Sequence, residues 1–333
     1  MKKTALPLLG LAAAAALALS ACGGSTAPAP ETDGSDTGSE PTKLSIQVAP
    51  IQYEPALIAL QEGYFEEAGL DVDITFGAGP AEMLAAVVAG EVDIAATSWS
   101  ALAQAVNEGM PVRGIAGNGI VSPDFDSSGV LVAADSDIQT VADLEGKTVG
   151  VVGIGTGTEV PLFMQALEEG VKDPEGTITQ VAIPYAGMQA ALESGTVDAV
   201  FPADSFYFQI KESGARQIAS PVREFQGNAP VTIWTSKTEW IDANADTLER
   251  FQEAMGKAID FYMDEANEDA VLQVRADHLE VSIDELPSRT LVPMSLAINF
   301  PELQTQLDAM KTFGHLPAME SAELFWDGAP RNE

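Results

Sequence analysis

Ala85-Ala86-Val87-Val88-Ala89-Gly90-Glu91-Val92-Asp93 and, further along the chain, Ala190-Ala191-Leu192-Glu193-Ser194-Gly195-Thr196-Val197-Asp198 carry one pattern twice. In each copy an alanine-rich helix stops at a glycine, the residue that most readily takes the left-handed conformation closing a helix, and a valine and an aspartate then open a strand. Upstream, Leu60-Gln61-Glu62-Gly63 matches Leu167-Glu168-Glu169-Gly170 at nearly the same offset. Alanine-rich helices ending in glycine are common, so one match alone says little. Two in consistent register predict a chain of two similar α/β lobes.

The surroundings of the repeats agree. Short β-rich apolar runs alternate with helix-length amphipathic runs, the mark of an α/β fold with a largely parallel sheet. Strands are expected over 44–49, 70–76, 92–97 and 112–116, with helices over 55–68, 80–89 and 101–107. The succession then recurs, with strands over 147–152, 178–184 and 197–201 and helices over 159–169, 188–194 and 204–213. The β-rich runs 129–134 and 230–235 are the expected crossings between lobes, because a chain that visits a second lobe and returns spans the gap twice. Beyond them the chain is expected to be mostly helical. Leu248, Phe251, Met255, Ile259 and Tyr262 recur at helical spacing and mark a core-facing stripe.

The N-terminus is a targeting segment. Lys2 and Lys3 precede an apolar stretch that contains Pro7 and Gly10 and is shorter than the roughly 20 residues a membrane span needs. It ends in Leu19-Ser20-Ala21-Cys22, which resembles the bacterial lipobox, whose thiol is alkylated with diacylglycerol. Cys22 is the single cysteine of the chain, so no disulfide within it can form. Residues 23–42 are rich in Gly, Ser, Thr, Pro, Asp and Glu and read as a disordered tether. The expected organisation is a lipoprotein signal over 1–22, the tether over 23–42, a first lobe over 43–128, a second lobe over 129–232 and the completion of the first over 233–333.

Charge removes one class of partner. The formal net charge is −34 and becomes −36 once Lys2 and Lys3 are removed, so nucleic-acid phosphates would be repelled. Contact with a membrane is expected through the N-terminal lipid only, leaving the protein on the extracytoplasmic face of the cell membrane.

At this point the sequence resembles a known family. The lipobox, Gly63-Tyr64-Phe65-Glu66-Glu67-Ala68-Gly69-Leu70, the run from Gly90 to Ala95, and Val141-Ala142-Asp143-Leu144-Glu145-Gly146-Lys147-Thr148-Val149-Gly150 are together similar to the ABC-transporter binding proteins for nitrate, sulfonates, taurine and thiamine-precursor pyrimidines. The resemblance implies a periplasmic-binding-protein fold of the second type, with two lobes joined by two hinge strands that close over a small-molecule ligand. It also implies docking of the closed form on an ABC permease driven by a separate ATPase. A monomer without a bound cofactor or metal is expected. A sensory lipoprotein that signals to a membrane partner is the alternative reading of the same fold.

Ligands of open α/β sheets bind beyond the carboxyl ends of the strands. That rule selects Gln52, Tyr53, Ser98, Trp99 and Asn118 in the first lobe. In the second it selects Gly155, Thr156, Gly157 and Thr158, then Tyr185, Asp204 and Phe206. The glycine run allows close backbone approach and free amides at a helix start favour anions, but without a phosphate-loop lysine it holds no nucleoside triphosphate. Trp99, Tyr53, Tyr185 and Phe206 can each wall a ligand or pack in the core. Asp204 can accept from a ligand amine or cap its helix. The scarcity of Lys and Arg near these loops, with Arg113 at a strand start, favours a neutral or heteroaromatic ligand over an anion.

An enzyme is not expected. The only histidines are His278 and His315, both in the C-terminal helical part, so no Cys-His pair or zinc cluster can be assembled, and no nucleophile-elbow pattern is present. An unrecognised serine-carboxylate site stays formally open.

Overall fold

The computed structural model describes residues 40–49, 53–77, 79–122, 124, 126–154, 159–286 and 289–332. Its named strands are β1 (Thr42–Val48), β2 (Leu70–Phe76), β3 (Ile94–Ser98), β4 (Val112–Gly117), β5 (Val130–Val132), β6 (Thr148–Val151), β7 (Thr179–Ala182), β8 (Ala199–Val200), β9 (Arg216–Ala219) and β10 (Thr232–Lys237). They form two five-stranded sheets, ordered β2-β1-β3-β10-β4 and β7-β6-β8-β5-β9.

The two orders are the same order. In each sheet a central strand (β1, β6) is flanked in parallel by the next two, and the fourth strand runs antiparallel. That fourth strand is donated by the crossing. β5 enters the second sheet between β8 and β9 as the chain arrives there, and β10 enters the first between β3 and β4 as it returns. The runs 129–134 and 230–235 therefore contain strands inside the sheets, and the passage between lobes lies just before each. There the two passing segments run side by side, with Ile120 bridging Pro230 and the Val121 amide donating to the Ala229 carbonyl at 3.0 Å.

The repeated aspartates explain why the lobes share a plan. Asp93 accepts from the Ser45 amide at 2.8 Å and the Ser45 hydroxyl at 2.7 Å, fixing the start of β3 to β1. Asp198 accepts from the Thr148 amide at 2.8 Å and its own amide donates to the Thr148 carbonyl at 2.8 Å, fixing β8 to β6. Gly90 and Gly195, with φ of 75° and 70°, turn each helix toward its aspartate.

Burial follows the patterning. Ile94, Ala95 and Ala96 of β3 are all within the core, as a strand covered on both faces must be, while Leu44, Ile46 and Val48 of β1 are buried with half-buried residues between them. β2, at the sheet edge, alternates as well. In the second sheet Val130 and Val132 face one apolar cluster while Leu131 between them faces the other, the period of two that a strand imposes. The C-terminal helices Ala245–Met263 and Phe300–Thr312 complete the core of the first lobe. Leu248, Phe251, Met255, Ile259 and Tyr262 are all buried there, and Phe251 meets Trp234 edge-to-face at 5.4 Å. Helix Phe300–Thr312 also reaches the second lobe, where Gln306 donates to the Phe225 carbonyl and Phe313 packs against Phe163.

Candidate functional site

The carboxyl ends of both sheets converge on one cleft of about 170 Å³. From the first lobe it takes the end of β3. The Ser98 hydroxyl accepts from the Ala101 amide at 3.1 Å, and this cap starts the helix at Trp99, two residues earlier than the apolar pattern alone suggests. Ser98, Trp99 and Ser100 line the cleft, Trp99 with only 6 % of its surface exposed.

From the second lobe come Val151 and Val152 at the end of β6, Phe201 and Ala203 after β8, and Tyr185. Tyr185 opens the helix Tyr185–Glu193 and stacks on Phe206, ring centroids 5.9 Å apart and 26° between planes, so Phe206 backs the tyrosine and does not itself line the cleft. The floor belongs to the passing segments: Ser127, Ser128 and Val231, with Val222 and Gln226 from the short helix Pro221–Phe225 and its end. Ser128 donates to the Pro202 carbonyl at 3.0 Å, tying the crossing to the loop after β8.

The remaining expected residues fall elsewhere. Gln52, Gly155, Thr156, Gly157, Thr158 and Cys22 lie outside the described residues, as does the side chain of Asp204, whose backbone begins the helix Asp204–Glu212. Tyr53 is in the core, edge-to-face with Trp234 at 5.4 Å; burial raises its hydroxyl pKa and a hydrogen bond with Thr232 lowers it part of the way back. Asn118 is fully buried on the outgoing segment, where its amide donates to the Thr232 hydroxyl. The strand-end rule extends without strain to Val151, Val152 and Phe201. Ser127 and Ser128 were missed because they sit on a passing segment, and Val222 and Gln226 because the strand they follow, β9, was not expected from the sequence.

Among the described residues, none that lines the cleft carries a charged side chain. Asp126, next to Ser127, is held by Arg223 at 3.1 Å and by the Ser220 hydroxyl at 3.1 Å, so these opposite charges meet each other. The wall is thus aromatic and aliphatic with hydroxyls and one carboxamide, suited to flat uncharged molecules. Among the described residues no group of His, Cys, Asp and Glu could hold a metal ion, neither histidine lines the cleft, and no helix is long and apolar enough to cross a membrane.

Comparison with known proteins shows the same fold. The chain is 32 % identical over 145 residues to the formylaminopyrimidine-binding protein of Halalkalibacterium halodurans, a match covering 43 % of this chain and 41 % of that protein. It superposes on the periplasmic aliphatic sulphonate binding protein SsuA from Escherichia coli with a TM-score of 0.72 at 17 % identity, over 87 % of this chain and 99 % of that one. On the periplasmic nitrate-binding protein NrtA from Synechocystis the TM-score is 0.63 at 16 % identity, over 86 % and 85 %. The fold is that of the periplasmic binding proteins, two α/β lobes linked by two passing segments. Residues 51–269 match the family described as NMT1/THI5 like, and the chain belongs to it.

Proposed function

We propose that this chain is the extracytoplasmic solute-binding component of an ABC importer, and that its solute is a small, flat, uncharged heteroaromatic. The observation that carries this reading is the lining of the interlobe cleft, to which both lobes contribute an aromatic ring, Trp99 and Tyr185, and to which the described residues of neither add a charge. A sulfonate or nitrate leaving water would need a cation or a dense set of donors in compensation. The lining favours a ring that stacks and hydrogen-bonds. The relative named for binding a formylaminopyrimidine supports the same class.

In this reading a solute touching both walls favours the closed lobes, since only the closed form makes both sets of contacts. The closed form then docks on a permease driven by a separate ATPase. A diacylglycerol on Cys22, with the segment between it and the start of β1 at Thr42 as a tether, keeps the monomer at the outer membrane face.

A thermal-shift screen of pyrimidines, flavins and sulfonates tests the proposal. Heteroaromatic hits that Trp99→Ala and Tyr185→Ala each weaken, with a smaller radius of gyration by solution scattering when bound, are expected. Hits confined to sulfonates, or affinities indifferent to both substitutions, overturn it. Mass spectrometry of the N-terminal peptide of the membrane-extracted protein tests the lipid on Cys22, and release of Cys22→Ser into the medium is the matching expectation.

A further inference from the structure

We propose that Gln226 is the specificity-determining residue of the cleft, reading a hydrogen-bond donor and an adjacent acceptor on one edge of the bound ring. This rests on the cleft reading above and narrows the ligand class.

Gln226 lines the cleft yet is only 9 % exposed. Its backbone is fixed from several sides. The amide donates to the Val222 carbonyl at 2.9 Å, and the carbonyl accepts from the Ala229 amide at 2.7 Å on the returning segment. The preceding Phe225 carbonyl accepts from Gln306 of the C-terminal helix. A side chain on so constrained a backbone is preorganised, which is what a recognition residue needs.

The carboxamide itself makes no hydrogen bond to any described residue. Three hydroxyls of the lining are already engaged: Ser98 accepts from Ala101, Ser100 lies 3.1 Å from Ser98, and Ser128 donates to Pro202. The carboxamide of this mostly buried residue opens on a cleft whose lining includes Val222, Val231 and Phe201, so a solute that displaces the water there has to pair with it. A glutamine amide offers one carbonyl and one NH₂ in a single plane, so its full complement is a planar group with donor next to acceptor. Lactams, carboxamides and amino-substituted ring nitrogens meet that demand. A flat ring with acceptors only leaves the glutamine carbonyl unpaired and is rejected, by about ten- to a hundredfold on the usual worth of such bonds.

The test uses the full chain and a matched series on one ring: benzamide (donor and acceptor), methyl benzoate (acceptors only) and benzamidinium (donors only), titrated by calorimetry. Wild type is expected to prefer benzamide over methyl benzoate by about tenfold or more. Gln226→Leu should level the two, and Gln226→Glu should move the preference to benzamidinium. Should the leucine variant misfold, the glutamate variant alone decides the matter, because a switched preference cannot come from damage. An unchanged ranking in Gln226→Glu, or no benzamide preference in wild type, overturns the assignment. If Trp99→Ala still weakens all probes in that case, the cleft reading survives; if it too has no effect, the cleft reading falls with it.

Discussion

Asn118 and Thr232 meet where the chain leaves the first sheet and where it returns, the Asn118 Nδ2 donating to the Thr232 Oγ1 at 3.1 Å. The same hydroxyl oxygen accepts from the Gly119 amide at 2.8 Å and is bonded to the core tyrosine Tyr53. One threonine therefore clamps both passing segments to the first lobe.

Thr232→Val keeps the shape and deletes the clamp. It leaves the Gly119 amide and the Asn118 carboxamide short of an acceptor, so a loss of about 2 kcal/mol in urea unfolding is expected. Because the lobes are then less firmly referenced to each other, ligand affinity should also fall. A stability change under about 0.5 kcal/mol would show that water replaces the hydroxyl.

Arg275 and Glu54 form a buried ion pair, Nε to Oε1 at 2.6 Å, with the side chains 10 % and 4 % exposed, and Arg275 also donates to the Thr290 carbonyl at 3.1 Å. Arg275→Met leaves the glutamate buried and unpaired, and about 3–5 kcal/mol of stability should be lost. Glu54→Gln with Arg275→Met together should cost less than the sum of the two single losses, and the double-mutant cycle measures that coupling. Additive losses would mean the two side chains act independently.

The lobe plan was legible because the signal is local. A glycine with positive φ, followed two and three residues later by valine and aspartate, is fixed by turn geometry and by the need of a strand start for an acceptor. Gly90 with Asp93 and Gly195 with Asp198 show it alike. β9 was not legible, since Arg216–Ala219 lies at a sheet edge with every residue half-buried and so has no alternation to read. The cleft was half legible for a related reason. Ser98, Trp99 and Tyr185 follow strands that the sequence shows, whereas Gln226 follows the illegible β9 and Ser128 is placed by a long-range bond to the Pro202 carbonyl.

If Asp93 and Asp198 play matching parts, their loss should scale with what each holds. Asp93→Ala removes two accepted bonds in a half-buried position and should cost about 2 kcal/mol; Asp198→Ala removes one from an exposed position and should cost about 1 kcal/mol or less. Chemical denaturation of both variants makes the comparison. A larger loss for Asp198 would break the proposed equivalence.

Asp143 gives stability a pH dependence of known sign. Its carboxylate accepts from the Gln139 amide at 2.9 Å, the Thr140 amide at 3.0 Å and the Thr140 hydroxyl at 3.1 Å, and these bonds lower its pKa below the ordinary 3.8. A depressed carboxylate stabilises the folded state above the unfolded pKa, and the benefit disappears as pH falls through the folded value. Wild type should therefore exceed Asp143→Ala in melting temperature at neutral pH, with the gap narrowing below pH 3.8. A gap that is constant down to acid unfolding would assign the loss to the turn's shape alone.

Gly117 ends β4 where the chain is about to cross, and a Cβ there would stand 2.5 Å from the Ser295 carbonyl oxygen. That oxygen belongs to a segment running beside the outgoing crossing, with the Ser295 amide donating to the Asn118 carbonyl at 2.8 Å and the Gly117 amide to the Leu296 carbonyl at 2.8 Å. Backbone held on both sides cannot yield cheaply, so Gly117→Ala should lose about 2 kcal/mol or more and loosen the crossing along with it. Gly79→Ala is the control, since nothing lies within 4 Å of its Cβ. Hydrogen exchange across residues 117–121 should rise in Gly117→Ala and stay at the wild-type rate in Gly79→Ala. Equal protection in the two variants would mean that the segment around Ser295 moves aside freely and has no hold on the hinge.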